Sequence, residues 1–196
     1  EFALFQTNYH GGIKKHQWTN VPLALIGRVD KKDGTTVQIN IGMNDGDPIF
    51  MIPEVSPHTD RGYGNKPVSA LITAEEMDPI VAHIPGQEGD VSDQVEKYLK
   101  STYGITRGDL VSAELLLVPA MKSRDMGFDR GLIAAYGQDD RLASYTNVRA
   151  LMDIGTPTKT AIAHLVDNEE VGNVNNTGAK SQYFSKSFLI LIISSS

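Results

Sequence analysis

Polar and apolar residues alternate cleanly over residues 36–41: Val37, Ile39 and Ile41 fall on one face, and Thr36, Gln38 and Asn40 on the other. A period of two marks a half-buried strand. Just upstream, residues 23–29 form an apolar run broken only by Gly27 and Arg28. Lys31-Lys32-Asp33-Gly34 lies between the two, so the pattern predicts a β-hairpin closed by a primed Asp-Gly turn. Residues 43–65 are rich in Gly, Pro and Asp and predict a loop with one short strand near 49–52. Residues 68–73 and 80–84 predict two further short strands. A helix follows, with Ser92 as its cap, Val95, Tyr98, Leu99 and Thr102 on one face, and Gly104 at the left-handed C-terminal position. Residues 110–118 then predict a strongly apolar strand.

The character changes near Pro119. A strand over 131–136 leads through Gly137-Gln138-Asp139-Asp140 into a helix that carries Leu142, Tyr145 and Met152 on one face. Thr156-Pro157-Thr158 breaks that helix, and residues 160–166 predict a buried strand in which His164 shares parity with Ile162 and Val166, as a core histidine would. Strand, helix, strand is a βαβ unit and implies a parallel sheet covered by helices. The chain therefore reads as a β-rich module followed by the beginning of an α/β domain.

Composition narrows the chemistry. The 196 residues suit one large domain or two small ones, and 24 acidic against 18 basic residues oppose an electrostatic nucleic-acid binder. With no cysteine, disulfides, thiol nucleophiles and Cys metal sites are excluded, so any metal must be held by His, Asp or Glu. No apolar run reaches the ~18 residues of a membrane span; the longest covers 188–193. The chain opens without Met and without a signal-peptide pattern, and it stops just after that apolar run. We expect a fragment of a cytoplasmic protein.

Two acidic clusters fall where strands are expected to end, which is where open α/β sheets place their sites. Asp139-Asp140 could simply cap a helix, and Asp167-Asn168-Glu169-Glu170 could be a solvated loop. Side by side on one rim, however, like charges cost free energy unless a cation offsets them. A divalent ion held by oxygen and imidazole would do so. Of two adjacent glutamates, one can coordinate while the other faces the metal-bound water as a general base.

The same residues carry a family likeness. Val118-Pro119-Ala120, Gly127-Phe128-Asp129-Arg130-Gly131-Leu132-Ile133 and Tyr136-Gly137-Gln138-Asp139-Asp140-Arg141 recur in order with Asp167-Asn168-Glu169-Glu170-Val171-Gly172 and Asn176-Thr177-Gly178-Ala179. They resemble the M18 metallo-aminopeptidases, the aspartyl-aminopeptidase-like enzymes that assemble into tetrahedral particles. Upstream, Tyr9-His10-Gly11-Gly12-Ile13-Lys14-Lys15-His16-Gln17-Trp18 resembles the segment entering that family's inserted β domain. The likeness runs from residue 7 to about 184.

The resemblance implies an incomplete α/β metallopeptidase domain with an inserted β-rich dimerisation domain. Residues 1–19 would end the first peptidase segment, 20–119 would be the insertion, and 120–196 the partial α/β domain. The implied activity is release of N-terminal residues from peptides through two divalent metals, zinc first, with cobalt or manganese also acceptable. Position by position, Asp139 matches the acid that bridges the two ions, Glu170 a terminal metal ligand and Glu169 the general base. His58 matches the insertion's histidine that reaches a neighbouring subunit's site and contacts substrate. His58-Thr59-Asp60 also imitates the family's metal-binding His-x-Asp motif, but that motif lies upstream in the family, and the flanking Ile52-Pro53 and Arg61 fit the substrate-side histidine. The implied partners are peptide substrates and further copies of the chain, as dimers stacking to a dodecamer, with no nucleic acid and no membrane. The family completes its metal set with an upstream His and a downstream Asp and His, whereas residues 171–196 contain no Asp, Glu or His. The chain thus supplies only Asp139 and Glu170 as metal ligands. The alternative is a non-catalytic oligomerisation fragment of such an enzyme.

Overall fold

The computed structural model describes residues 2–9, 11–60, 62–83, 90–174, 177–183 and 185–187. The apolar run 188–193, His10, Arg61 and Asn176 lie outside the described residues. The chain divides into one unit of Glu1–Tyr9 with Lys14–Tyr136 and a second of His10–Ile13 with Gly137–Ser196. The first unit contains β1 (Ala3–Leu4), β2 (Leu23–Asp30), β3 (Thr36–Ile41), β4 (Ile80–Ala82), α1 (Val91–Tyr103), β5 (Ala113–Pro119), β6 (Arg124–Met126) and β7 (Leu132–Ala134). The second contains α2 (Gln138–Asp153).

The predicted hairpin is the heart of the first unit. β2 pairs antiparallel with β3 on one side and with β5 on the other, setting Leu25 opposite both Ile41 and Leu117, and Val29 opposite Val37 and Ala113. Leu23, Ala24 and Val29 are fully buried, and Ile39 and Ile41 nearly so. Full burial of each larger side chain is worth about 1.5–3 kcal/mol, so this short strand pair carries much of the unit's stability. The hairpin connection differs from the expected Asp-Gly turn. It spans residues 31–35, closed by Gly34 N–H donating to the Lys31 carbonyl (3.0 Å), with Gly34 at φ +84°. Asp33 accepts from the Thr35 amide and hydroxyl (2.9 and 2.6 Å), a local alternative that a two-residue turn does not provide. Residues 50–52 form isolated bridges to Leu23, Ile80 and Thr19, in agreement with the short strand expected there.

α1 forms where its pattern placed it, with one shift at the start. Asp90, rather than Ser92, is the cap: its side chain accepts from the Ser92 amide at 2.9 Å. Gly104 adopts φ +65°, and the amides of Gly104 and Ile105 return to the carbonyls of Lys100 and Leu99. Only glycine takes that conformation without cost, and the buried Ile105 then packs behind the helix end. Residues 68–73 are not a strand; Val68–Ala70 is a 3-10 turn, as is Asp109–Ser112 before β5. The latter is held by Asp109, which accepts from the Thr106 hydroxyl and amide (2.6 and 2.9 Å). The hydroxyl bond, then the amide bond, lowers that carboxyl below its ordinary range.

The parallel βαβ unit is corrected. β6 and β7 form an antiparallel hairpin, and residues 160–166 make no strand pairing among the described residues. The only parallel pairing among the described residues is the isolated Thr19–Ile52 bridge. A strand exists only through a neighbour that takes up its N–H and C=O groups, and apolar periodicity alone cannot supply one. His164 is correspondingly exposed rather than a core residue. On α2, Leu142, Tyr145 and Met152 are 64–70% exposed, so the apolar face that the pattern identified is real but uncovered. No helix among the described residues is long and apolar enough to cross a membrane.

Candidate active site

Three of the four candidate residues lie in the second unit. Asp139 and Asp140 fall within α2 by position, yet neither has helical geometry (φ/ψ −89°/111° and −115°/21°). Gly137 before them is left-handed at φ +71°, and the peptide between the two aspartates is cis. Asp139 therefore sits on a bend that precedes the regular helix. Both aspartates are exposed.

Glu169 and Glu170 occupy a tight turn, not the end of a strand. Gly172 N–H donates to the Glu169 carbonyl (2.9 Å), and Asn173 N–H to the Asn168 carbonyl (2.8 Å). The turn needs left-handed residues at both shoulders, and asparagine supplies them: Asn168 and Asn173 have φ of +61°. Beneath it, Asp167 N–H donates to the Thr177 carbonyl (3.1 Å), Lys180 N–H to that of Asn173 (3.1 Å), and Asn168 Nδ2 to Thr177 Oγ1 (3.2 Å). Gly178 is buried under Asn173, where a methyl group would come within 2.6 Å of backbone. The acidic pair is thus held by backbone and amide hydrogen bonds, not by ion pairs. The sequence pattern places these acids at the end of a strand; the turn replaces that geometry.

A residue to which no role was assigned also enters here. Gly11, at φ +75°, approaches the Glu170 side chain so closely that a methyl on it would lie 2.7 Å from Oε2. The double glycine Gly11-Gly12 was the one signal in the sequence, because paired glycines mark backbone that something else approaches.

His58 belongs to the first unit, on an exposed turn. Thr59 and Asp60 amides both donate to the Ser56 carbonyl (2.9 and 3.1 Å). Asp60 is occupied by the Gly62 amide (3.1 Å) and by Lys66 Nζ (3.5 Å). The loop leading to it is tied down upstream, where Glu54 Oε2 accepts from Thr19 Oγ1 (2.9 Å) and Asn20 brackets the Glu54 backbone (3.1 and 3.3 Å).

The donors suit a divalent metal in kind but not in number. Among the described residues, Asp139, Glu169 and Glu170 enter no ion pair, so their charge is left for another cation. Yet no group of three or more His, Cys, Asp or Glu among the described residues is placed to hold an ion. A closed or catalytic zinc site takes at least three protein ligands. Asp139 and Glu170 can be part of such a set and cannot be all of it.

Residues 1–195 match the family described as Aminopeptidase I zinc metalloprotease (M18). A protein of Clostridium acetobutylicum named probable M18 family aminopeptidase 1 is 41% identical over 188 residues, 94% of this chain and 40% of that protein. The crystal structure of an M18 aminopeptidase from Thermotoga maritima superposes with a TM-score of 0.86 at 40% identity, covering 99% of this chain and 43% of its own. A more distant structure, the S. cerevisiae mApe1 dodecamer, shares the fold at a TM-score of 0.63 and 20% identity. The chain spans about two fifths of the length of these relatives. A family match over almost every residue, together with the mixed α/β structure shared with a solved M18 aminopeptidase at 40% identity, means that this chain belongs to the M18 aminopeptidase family.

Proposed function

We propose that the natural full-length protein is a zinc-dependent aminopeptidase that releases N-terminal residues from peptides, and that this chain supplies its general base and part of its metal set. The observation that carries the reading is that Asp139, Glu169 and Glu170, which enter no ion pair among the described residues, lie within the stretch matched to a zinc metalloprotease family. When bound, two divalent ions supply Lewis acidity and make water a nucleophile near neutral pH. Cobalt or manganese suits the same oxygen and imidazole donors. Asp139 and Glu170 would be the residues of this chain that offer carboxylate oxygens to the metal. Glu169 takes the proton from the attacking water on its carboxylate and delivers it to the nitrogen of the leaving amine.

Residues 20–119 are proposed as the inserted dimerisation domain, and His58 as a substrate contact made across a subunit boundary in a cytoplasmic homo-oligomer. The support is the exposed, well-anchored turn that carries His58, together with the dodecamer known for a protein of the same fold.

Two measurements test this. The full-length protein should cleave peptides with a free N-terminus and not the acetylated peptides, lose that rate to background on chelation and regain it with zinc. A rate that survives metal removal would sink the proposal. For His58, the His58→Ala variant should lose activity with its metal content unchanged. Subunit exchange with a Glu169→Gln variant should then rebuild some active sites. No recovery in well-exchanged particles would count against a histidine acting in trans.

A further inference from the structure

We infer that Gly11 is a positioning residue for Glu170: the volume its missing side chain leaves is the volume the Glu170 side chain fills. This rests on the reading of Glu170 as a metal ligand. A methyl group on Gly11 would lie 2.7 Å from Glu170 Oε2, 3.0 Å from its Cβ and 3.4 Å from its Cδ. The contact therefore runs along the whole side chain rather than touching only its tip. A tip contact alone would be harmless, since a carboxylate can rotate away. The Cβ contact is different, because Cβ moves only with the backbone, and the backbone around Glu170 is fastened by the 169–172 and 168–173 hydrogen bonds. The side chain must then leave its present rotamer while the turn gives by a few tenths of an ångström. Gly11 also sits at φ +75°, a conformation that β-carbon-bearing residues other than Asn and Asp rarely take.

Gly12 provides the internal comparison. A methyl group there meets nothing within 4 Å, and its backbone is not left-handed. The adjacent glycines thus differ in backbone conformation and in what stands opposite them, and the Gly11→Asn variant, which tolerates the left-handed backbone, separates the two. The consequence of losing Gly11 should be a displaced ligand and not a lost fold, because Glu170 is exposed and surrounded by solvent into which it can swing. Groups that orient a metal ligand typically change metal affinity by about 10- to 100-fold when altered.

The test uses the full-length protein and reads zinc affinity by competition with a chromophoric chelator, alongside melting temperature. Gly11→Ala should weaken zinc binding by about 10- to 100-fold, and Gly12→Ala should not. In a Glu170→Ala background, Gly11→Ala should add nothing further, because the group it displaces is gone. Gly11→Asn tolerates the left-handed backbone yet carries the same β-carbon, so it should reproduce the zinc loss and serves as the test should the Ala variant not fold. Wild-type zinc affinity in Gly11→Asn, or an equal loss with Glu170 already removed, would overturn the inference. If Glu170→Ala alone leaves zinc affinity unchanged, the ligand role of Glu170 fails, and the inference falls with it; that arm reads the ligand role independently of Gly11.

Discussion

Glu169→Gln in the full-length protein should reduce turnover by about 10²- to 10⁴-fold while zinc stays bound. The amide keeps the size of the side chain and cannot accept the proton that the attacking water must lose. The turn should survive the change, because its hydrogen bonds use the Glu169 carbonyl and the backbone of Asn168 and Asn173, none of which involves the carboxylate. Glu170→Gln should do the opposite, lowering zinc content first and activity as a consequence, since an amide oxygen is a weaker donor to a divalent ion than a carboxylate. Metal analysis and peptide hydrolysis on the same two preparations decide the matter. Zinc lost from the Glu169 variant and kept in the Glu170 variant would reverse the two roles.

The second large effect is structural. Gly27 lies in the middle of β2, paired with Ile39 on one side and Leu115 on the other, at φ +142°. A methyl group there would lie 2.0 Å from the Glu114 carbonyl oxygen and 3.1 Å from Leu115 Cα. Both obstacles are backbone in the paired strand β5, so neither can rotate aside. Backbone strain of about 1–3 kcal/mol and overpacking of about 1–3 kcal/mol both fall on the strand that holds the sheet β3-β2-β5 together. Their sum is a large share of a typical 5–15 kcal/mol. Gly27→Ala should therefore sharply lower the melting temperature of the first unit. Gly34→Ala, at φ +84° with nothing within 4 Å of the added methyl, should cost only about 1 kcal/mol. Equal melting of the two variants would show that the close approach at Gly27 is relieved by strand movement.

What was legible in the sequence is what depends on near neighbours along the chain. The alternation over residues 36–41 became β3, and the Gly104 stop and the spacing of Val95 and Leu99 became α1. Strand period, helix period and left-handed caps are set within a few residues, so composition is enough to read them. The family was legible for a different reason: ordered words of sequence match it, and that match does not require knowing any geometry. The rest was decided by the tertiary structure. Residues 160–166 have the apolar pattern of a strand but no partner among the described residues, and the apolar face of α2 is exposed. Pairing and burial are properties of two segments, and periodicity describes only one. The turn that holds Glu169 and Glu170 depends on Thr177 and Gly178, the bend at Asp139 departs from the helix its neighbours suggest, and Gly11 meets Glu170 from the far end of the chain. The amino-acid sequence determined which residues carry carboxylates and imidazoles. Contacts between residues distant in the chain decided where those groups sit, because only a folded backbone brings a missing side chain up against one that needs the space.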